Sequence, residues 1–157
     1  MKGKTPGASR VITARLMVPL DANPYGSVHG GVIMRTIDEA AAVAAIRHAR
    51  QNAVTASIDR LDFHGPSRVG ELVTFKASVN QTFRTSMEVG VRVEVENLLT
   101  GEIRHVASAY LTFVSLGPDG RPAPAPPLLP ETDEDRRRAE EASRRRRQRL
   151  GECGCGQ

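Results

Sequence analysis

The chain has 157 residues, 39% of them apolar and only 4% aromatic, with no Trp. That length suits one domain with a terminal extension, and its core must come from Val, Ile, Leu, Ala and Met. The formal net charge of +4 rests largely on an Arg-rich C-terminal stretch. No apolar run approaches the roughly 20 residues that span a bilayer, and the basic start has no apolar stretch behind it. Neither a membrane segment nor a secretory signal is expected, and the expected compartment is the cytoplasm.

Residues 1–9 are expected to be a frayed, flexible terminus. Residues 10–20 are rich in β-branched side chains and predict a first strand. Asp21-Ala22-Asn23-Pro24-Tyr25-Gly26 is dense in turn formers and predicts a loop. Gly30 and Gly31 open residues 32–50, a stretch without Pro or Gly. Within it Ile33, Ile37, Ala40, Ala41, Ala44 and Ala45 recur three or four apart, the spacing of a buried helical stripe. Its Ala-rich half lets a sheet approach closely. Strands are predicted over 53–61, 71–81, 86–97 and 103–116. Met87, Val89, Val91, Val93 and Val95 alternate with a face that carries Glu88, Arg92, Glu94 and Glu96. Both faces of 103–116 are largely apolar, which predicts a central strand. The order strand, loop, helix, strands predicts an α+β domain over residues 10–117, an antiparallel sheet wrapped around one long helix.

Residues 118–130 are so dense in Pro that neither helix nor inner strand can form, and they are expected to be an extended linker. Residues 131–157 are expected to be a charged tail, partly helical or disordered. Acid comes early (Glu131, Asp133, Glu134, Asp135) and base late (Arg144 to Arg147, Arg149), which complements a helix dipole with Thr132 as N-cap. With almost no apolar face, such a helix is expected to be solvated. Contact of the Arg run with a polyanion is the second reading, but no nucleic-acid-reading motif accompanies it. The two cysteines, Cys153 and Cys155, stand at C-x-C spacing and cannot complete a four-ligand zinc site within one chain. A mobile thiol pair in a reducing compartment is expected, ahead of a metal shared between subunits.

Several short segments then form an ordered set. Asp21 to Gly26 is followed by His29-Gly30-Gly31, and Asp38 lies seven residues past Gly31. Phe63-His64-Gly65-Pro66, Val69-Gly70-Glu71 and Phe83-Arg84-Thr85-Ser86-Met87 come next. Over residues 10–116 this set resembles the hotdog-fold acyl-CoA thioesterases, nearest to the broad-range bacterial type and the brain-type cytosolic acyl-CoA hydrolases. The resemblance implies a hotdog fold and hydrolysis of acyl-CoA to free coenzyme A and a carboxylic acid. It implies no cofactor, since coenzyme A is part of substrate and product. It implies a homodimer as the minimum active unit, commonly arranged as a hexameric trimer of dimers. Asn23 of one subunit would then face Asp38 of another.

The residues suit that chemistry. A thioester needs a water or carboxylate nucleophile, donors for the developing oxyanion, and a hold on coenzyme A. A helix start presents free N–H groups and the positive end of the dipole, and glycine lets a carbonyl come close. The Gly31 N–H, with that of Val32, is the expected oxyanion donor, although glycines there also serve tight packing. Asp38, two turns into the helix among apolar neighbours, is the expected general base or nucleophile; partial burial favours its protonated form. Glu39 points about 100° around the helix and is assigned to the rim. The Asn23 amide can hold water or donate to the oxyanion, and Asn before Pro is also an ordinary turn residue. Gly30, His29 and Val32 are expected to line the site. Arg84, Thr85 and Ser86, with Arg68, are candidates for coenzyme A, each equally readable as a solvated turn residue. His48, His64 and His105 are scattered without metal-ligand spacing, so no metal is expected. A hotdog dehydratase needs a differently placed His. A non-catalytic acyl-CoA-sensing module, its basic tail on nucleic acid, is the alternative to an enzyme.

Overall fold

The computed structural model describes residues 1–153, with side chains to Gly151. The Cys153 side chain and all of Cys155, and with them the expected thiol pair, therefore lie outside what is described. The elements are β1 (Val11–Leu16), α1 (Gly30–Ala49), β2 (Ala53–Phe63), β3 (Leu72–Thr82), β4 (Ser86–Glu96), β5 (Ile103–Ser115) and α2 (Asp133–Cys153). The strands form one antiparallel sheet in the order β1-β3-β4-β5-β2. Helix α1 packs along one face of it. The α+β hotdog architecture implied by the sequence is the one observed.

Burial follows the periodicities. Ile33, Ile37, Ala40, Ala41, Ala44 and Ala45 of α1 are all buried. They meet Val73, Phe75, Ala77 and Val79 of β3 and the whole Met87-to-Val95 alternation of β4. The alanines place the helix backbone close to the sheet, and Phe75 and Phe113, both fully buried, fill the space beside it. Truncating either Phe to Ala removes a contact set worth about 3–5 kcal/mol. Strand β4, not β5, is the middle strand; β5 lies between β4 and β2, so it is interior but one place off centre.

The first strand is shorter than predicted because Pro19 removes a ladder donor, and Pro19–Asp21 turns into a 3-10 helix. The segments flanking the domain depart further from expectation. Residues 1–9 are tied down: Lys4 pairs with Leu128, Pro6–Ala8 forms a 3-10 turn, and Ser9 is buried. The Pro-rich segment is extended as predicted, but it is packed rather than free. Ala125, Pro126 and Leu128 are buried, and the N–H groups of Ala123 and Ala125 donate to the carbonyls of Ser115 and Arg84. His48 joins the flanking segments to the end of α1: its Nε2 meets the Pro126 carbonyl at 2.9 Å and its Nδ1 meets Ser9 Oγ at 3.4 Å.

The charged tail is a helix of 21 residues docked on the sheet face opposite α1. Thr132 Oγ1 accepts from the Asp135 N–H at 3.0 Å, and Asp135 Oδ2 accepts from the Thr132 N–H at 3.2 Å, a reciprocal cap. Charge and small side chains replace the missing apolar face. Arg145 grips buried Glu88 through two bonds of 3.0 and 2.7 Å, and Arg149 lies 3.1 Å from Asp59. Arg146 stacks over Phe83, and Ala139 and Ala142 are buried beneath the helix.

Candidate active site

The loop before α1 is held as a rigid ledge. Buried Asp21 accepts from the Val18 N–H at 2.9 Å and pairs with Arg15 at 2.8 Å, and its carbonyl accepts from the His29 N–H at 2.9 Å. Within the loop Asn23 Oδ1 accepts from the N–H groups of Tyr25 and Ser27, and its Nδ2 donates to Ser27 Oγ at 2.8 Å. Asn23 thus shapes the turn with the same amide that the site reading gives to catalysis.

His29 is the N-cap of α1 by backbone only; its exposed imidazole makes no capping bond. The Val32 N–H donates to the His29 carbonyl at 3.0 Å, so it is already engaged. The Gly31 N–H has no acceptor among the described residues, and Gly31 is exposed with no atom within 4 Å of an added Cβ. The expected donor pair therefore reduces to Gly31 within one protomer.

Asp38 lies seven residues on, about 10 Å along the axis and within about 20° of the same face. It is half-buried, and its Oδ1 accepts from Thr55 Oγ1 of β2 at 2.6 Å. Glu39, as expected, is at the surface, paired with Arg35 at 3.0 Å. Thr55 is the residue that sequence reasoning missed. Nothing in its local sequence marks it; only the pairing of β2 beside α1 brings its hydroxyl to the carboxylate.

Gly30 faces the other way. It lines a cleft of about 440 Å³ with Ile33, Phe63, His64, Pro66 and Val106, and the His64 ring stands 4.8 Å from that of His105 in β5. Asp38 is not in the wall of that cleft. Arg68 sits beside the Asn23 loop, bridged to Ser27. Arg84, Thr85 and Ser86 lie elsewhere: the Thr85 carbonyl accepts from Ser115, next to Asn52 and the C-terminal end of α1. Helix α1 has 20 residues and so spans about 30 Å. One protomer therefore does not bring the Arg84 cluster to Gly31. Among the described residues there is no group of three or more potential metal ligands, and no helix is long and apolar enough to cross a membrane.

Beside the carboxylate the surface is apolar. Met34, Val43 and Ile46 of α1 and Val54 and Ile58 of β2 are each about 40–45% exposed. The edge of β2 away from β5 pairs with no strand among the described residues.

The profile of the thioesterase superfamily matches residues 25–102. The cytosolic acyl coenzyme A thioester hydrolase of Rattus norvegicus is 39% identical over 132 residues, 83% of this chain but 35% of that protein. The chain thus spans about a third of the length of that relative. An uncharacterized acyl-CoA thioester hydrolase of Bacillus subtilis is 40% identical over 81% of this chain and 74% of its own length. Among solved structures, an apo-hexameric acyl-CoA thioesterase superposes with a TM-score of 0.94 at 40% identity, covering 98% of both chains. An acyl-CoA hydrolase from Staphylococcus aureus, in complex with butyryl coenzyme A, coenzyme A and coenzyme A disulfide, superposes at 0.89 with 33% identity over 95% and 91%. Alanine variants of that hydrolase at an Asn, an Asp and a Thr have also been solved, those positions standing fifteen and seventeen residues apart. One sheet wrapped on one helix, a glycine-opened helix start and this degree of likeness converge: the chain belongs to the thioesterase superfamily of hotdog folds.

Proposed function

We propose that the protein hydrolyses acyl-CoA thioesters, with Asp38 as the central catalytic group. The observation that carries this is the Asp38 carboxylate, on the same helical face as the free Gly31 N–H and bonded by Thr55. The Staphylococcus aureus hydrolase supports it. Its Asn, Asp and Thr variants have the spacing of Asn23, Asp38 and Thr55 in this chain.

The chemistry follows from charge. The thioester carbonyl oxygen sits at the Gly31 N–H, where the positive end of the helix stabilises the oxyanion as it forms. Asp38 takes a proton from water as the water oxygen bonds to the carbonyl carbon. The C–S bond then breaks, the coenzyme A thiolate leaves and takes up a proton, and the acid is released. Direct attack by Asp38, giving an anhydride that water then opens, starts from the same geometry. No cofactor enters either route.

The active unit in this reading is a dimer. A second copy covers the apolar strip of Met34, Val43, Ile46, Val54 and Ile58 and pairs with the open edge of β2. It also supplies Asn23 and the Arg84–Ser86 cluster, the latter lying toward the other end of α1 from Gly31 within one protomer. Hexamers among the solved relatives accord with such association. His48 is buried at the far end of α1, so no His there joins Asp38 in dehydratase chemistry. The docking of Arg145 and Arg149 on the sheet draws charge away from a nucleic-acid role for the tail. Release of free thiol from acyl-CoAs of two carbons to long chains by the purified protein tests the proposal. Asp38→Ala is expected to lower turnover by about 10²–10⁴-fold; wild-type turnover in that variant would overturn the assignment.

A further inference from the structure

The sheet face away from α1 carries a second cavity, of about 400 Å³, roofed by α2. Its floor is made of small side chains. Ser78 of β3 pairs with Gly90 of β4, and Ser108 of β5 pairs with the neighbouring Arg92. A Cβ on Gly90 would stand 2.7 Å from Asn80 Nδ2, which donates to Glu88 at 2.9 Å, so glycine there keeps both the floor low and Asn80 in place. Tyr110 closes one end, its ring 3.8 Å beneath the Arg145 guanidinium.

The walls are cationic. Six Arg or Lys side chains and two carboxylates line the cavity. Nearby acids neutralise part of this charge. Arg145 is taken by Glu88, while Arg137 and Arg138 pair with Glu141 and Glu134. The mouth is different. Lys76 and Arg92 share the single carboxylate of Glu94, at 3.1 and 2.9 Å, and Arg10 reaches Asp135 only at 3.8 Å. Three cations thus converge on two carboxylates, and one of those, Asp135, already accepts backbone N–H bonds. On the floor, Ser78, 7% exposed as a residue, presents its hydroxyl to the cavity. Surplus donors at the mouth, a hydroxyl on the floor and an aromatic ring at the end match a phosphorylated ligand with a planar group. The volume lies within the roughly 300–1,000 Å³ typical of small-molecule sites.

We propose that this cavity binds a nucleoside phosphate. The phosphates meet Arg10, Lys76 and Arg92, and the base lies toward Tyr110, on the opposite side of the sheet from Asp38. The ligand fills the space between the sheet and its α2 roof, so it stabilises the folded arrangement that encloses it in proportion to its occupancy. It is either a free nucleotide or the nucleotide end of coenzyme A. This proposal does not depend on hydrolysis at Asp38.

Calorimetric titration of the full chain with ADP, coenzyme A and adenosine tests it, in wild type, Asp38→Ala and the double variant Lys76→Gln/Arg92→Gln. ADP is expected to bind wild type and Asp38→Ala alike and to raise the melting temperature of both. The double variant is expected to lose at least about tenfold in affinity, and high salt to weaken binding to wild type. Ser78→Leu fills the floor without touching a charge and is expected to weaken ADP as well. Adenosine, lacking phosphate, is expected to give no measurable heat. Coenzyme A displaced by ADP from Asp38→Ala makes its own nucleotide an occupant; coenzyme A undisturbed by ADP reserves the cavity for free nucleotides. No binding of ADP, or equal binding by wild type and the double variant, overturns the proposal, whatever the turnover assay shows.

Discussion

The Thr55 hydroxyl donates to Asp38 Oδ1 at 2.6 Å, linking the edge strand to the helix that bears the carboxylate. A hydroxyl so placed fixes one carboxylate oxygen and leaves the other to face substrate water. Thr55→Val keeps the shape and removes the bond. It is expected to lower kcat by about 10–100-fold with little change in KM, the pattern of a group that acts through another. Thr55→Ser restores the donor and is expected to recover most of the rate. A loss confined to KM would mean that Thr55 serves binding instead.

Gly31 separates chemistry from stability. Nothing stands within 4 Å of a Cβ built there, and its φ does not require glycine. Gly31→Ala therefore raises helix propensity, by up to about 1 kcal/mol in a helix interior and less in a first turn. Its methyl, however, stands beside the N–H that a thioester oxygen must approach. The variant is expected to unfold at an equal or higher urea concentration than wild type while kcat/KM falls at least about tenfold. Unchanged kcat/KM would show that no reacting carbonyl approaches this amide.

His48 makes stability depend on pH. Burial lowers its pKa below the ordinary value of 6.5, opposed by the bond to the Pro126 carbonyl and assisted by nearby Lys4. An unfolded His titrates near 6.5. Below that pH the unfolded chain takes up a proton that the folded imidazole resists. The stabilisation is thus complete above pH about 6.5 and is lost as pH falls below it, by up to about 1.4 kcal/mol per pH unit from this group. Urea midpoints between pH 7.5 and 5.5 should fall for wild type and stay flatter for His48→Gln, which retains a donor for Pro126. Equal slopes would place the titrating group elsewhere.

The α1 stripe and the β4 alternation were readable because apolar periodicity is local: Ile33, Ile37 and Ala41 mark one face within three turns, and Met87 to Val95 mark another by simple alternation. Asp38 is marked by a carboxylate among apolar neighbours and Gly31 by its place at the helix start, and the ordered set from Asp21 to Asp38 links the two. Thr55 carries no such mark, since its role depends on a carboxylate seventeen positions earlier that only the packed fold brings near. The tail failed in the same way. Its arginines find Glu88 and Asp59 across 57 and 90 positions, and no local pattern encodes such pairings. The Pro-rich segment forms neither helix nor inner strand, because its prolines lack the N–H groups both require. Its docking on Ser115, Arg84 and His48 depends on carbonyls and N–H groups that every sequence carries.

The Glu88–Arg145 pair tests whether α2 is an integral part of the fold. Glu88 is 3% exposed and receives Arg145 through two bonds and Asn80 through a third. Removing the guanidinium strands a buried carboxylate with one amide donor. Arg145→Met keeps the stem that covers the sheet and loses the charge, so it is expected to cost about 3 kcal/mol, read as a lower urea midpoint. Adding Glu88→Gln removes the stranded charge and should recover much of that cost, since the penalty comes from an unpaired ion more than from a lost contact. If instead both single variants and the double variant unfold at the wild-type midpoint, α2 is held by its other contacts, Ala139, Ala142, Arg146 on Phe83 and Arg149 on Asp59, and limited proteolysis should release it as readily from wild type as from Arg145→Met.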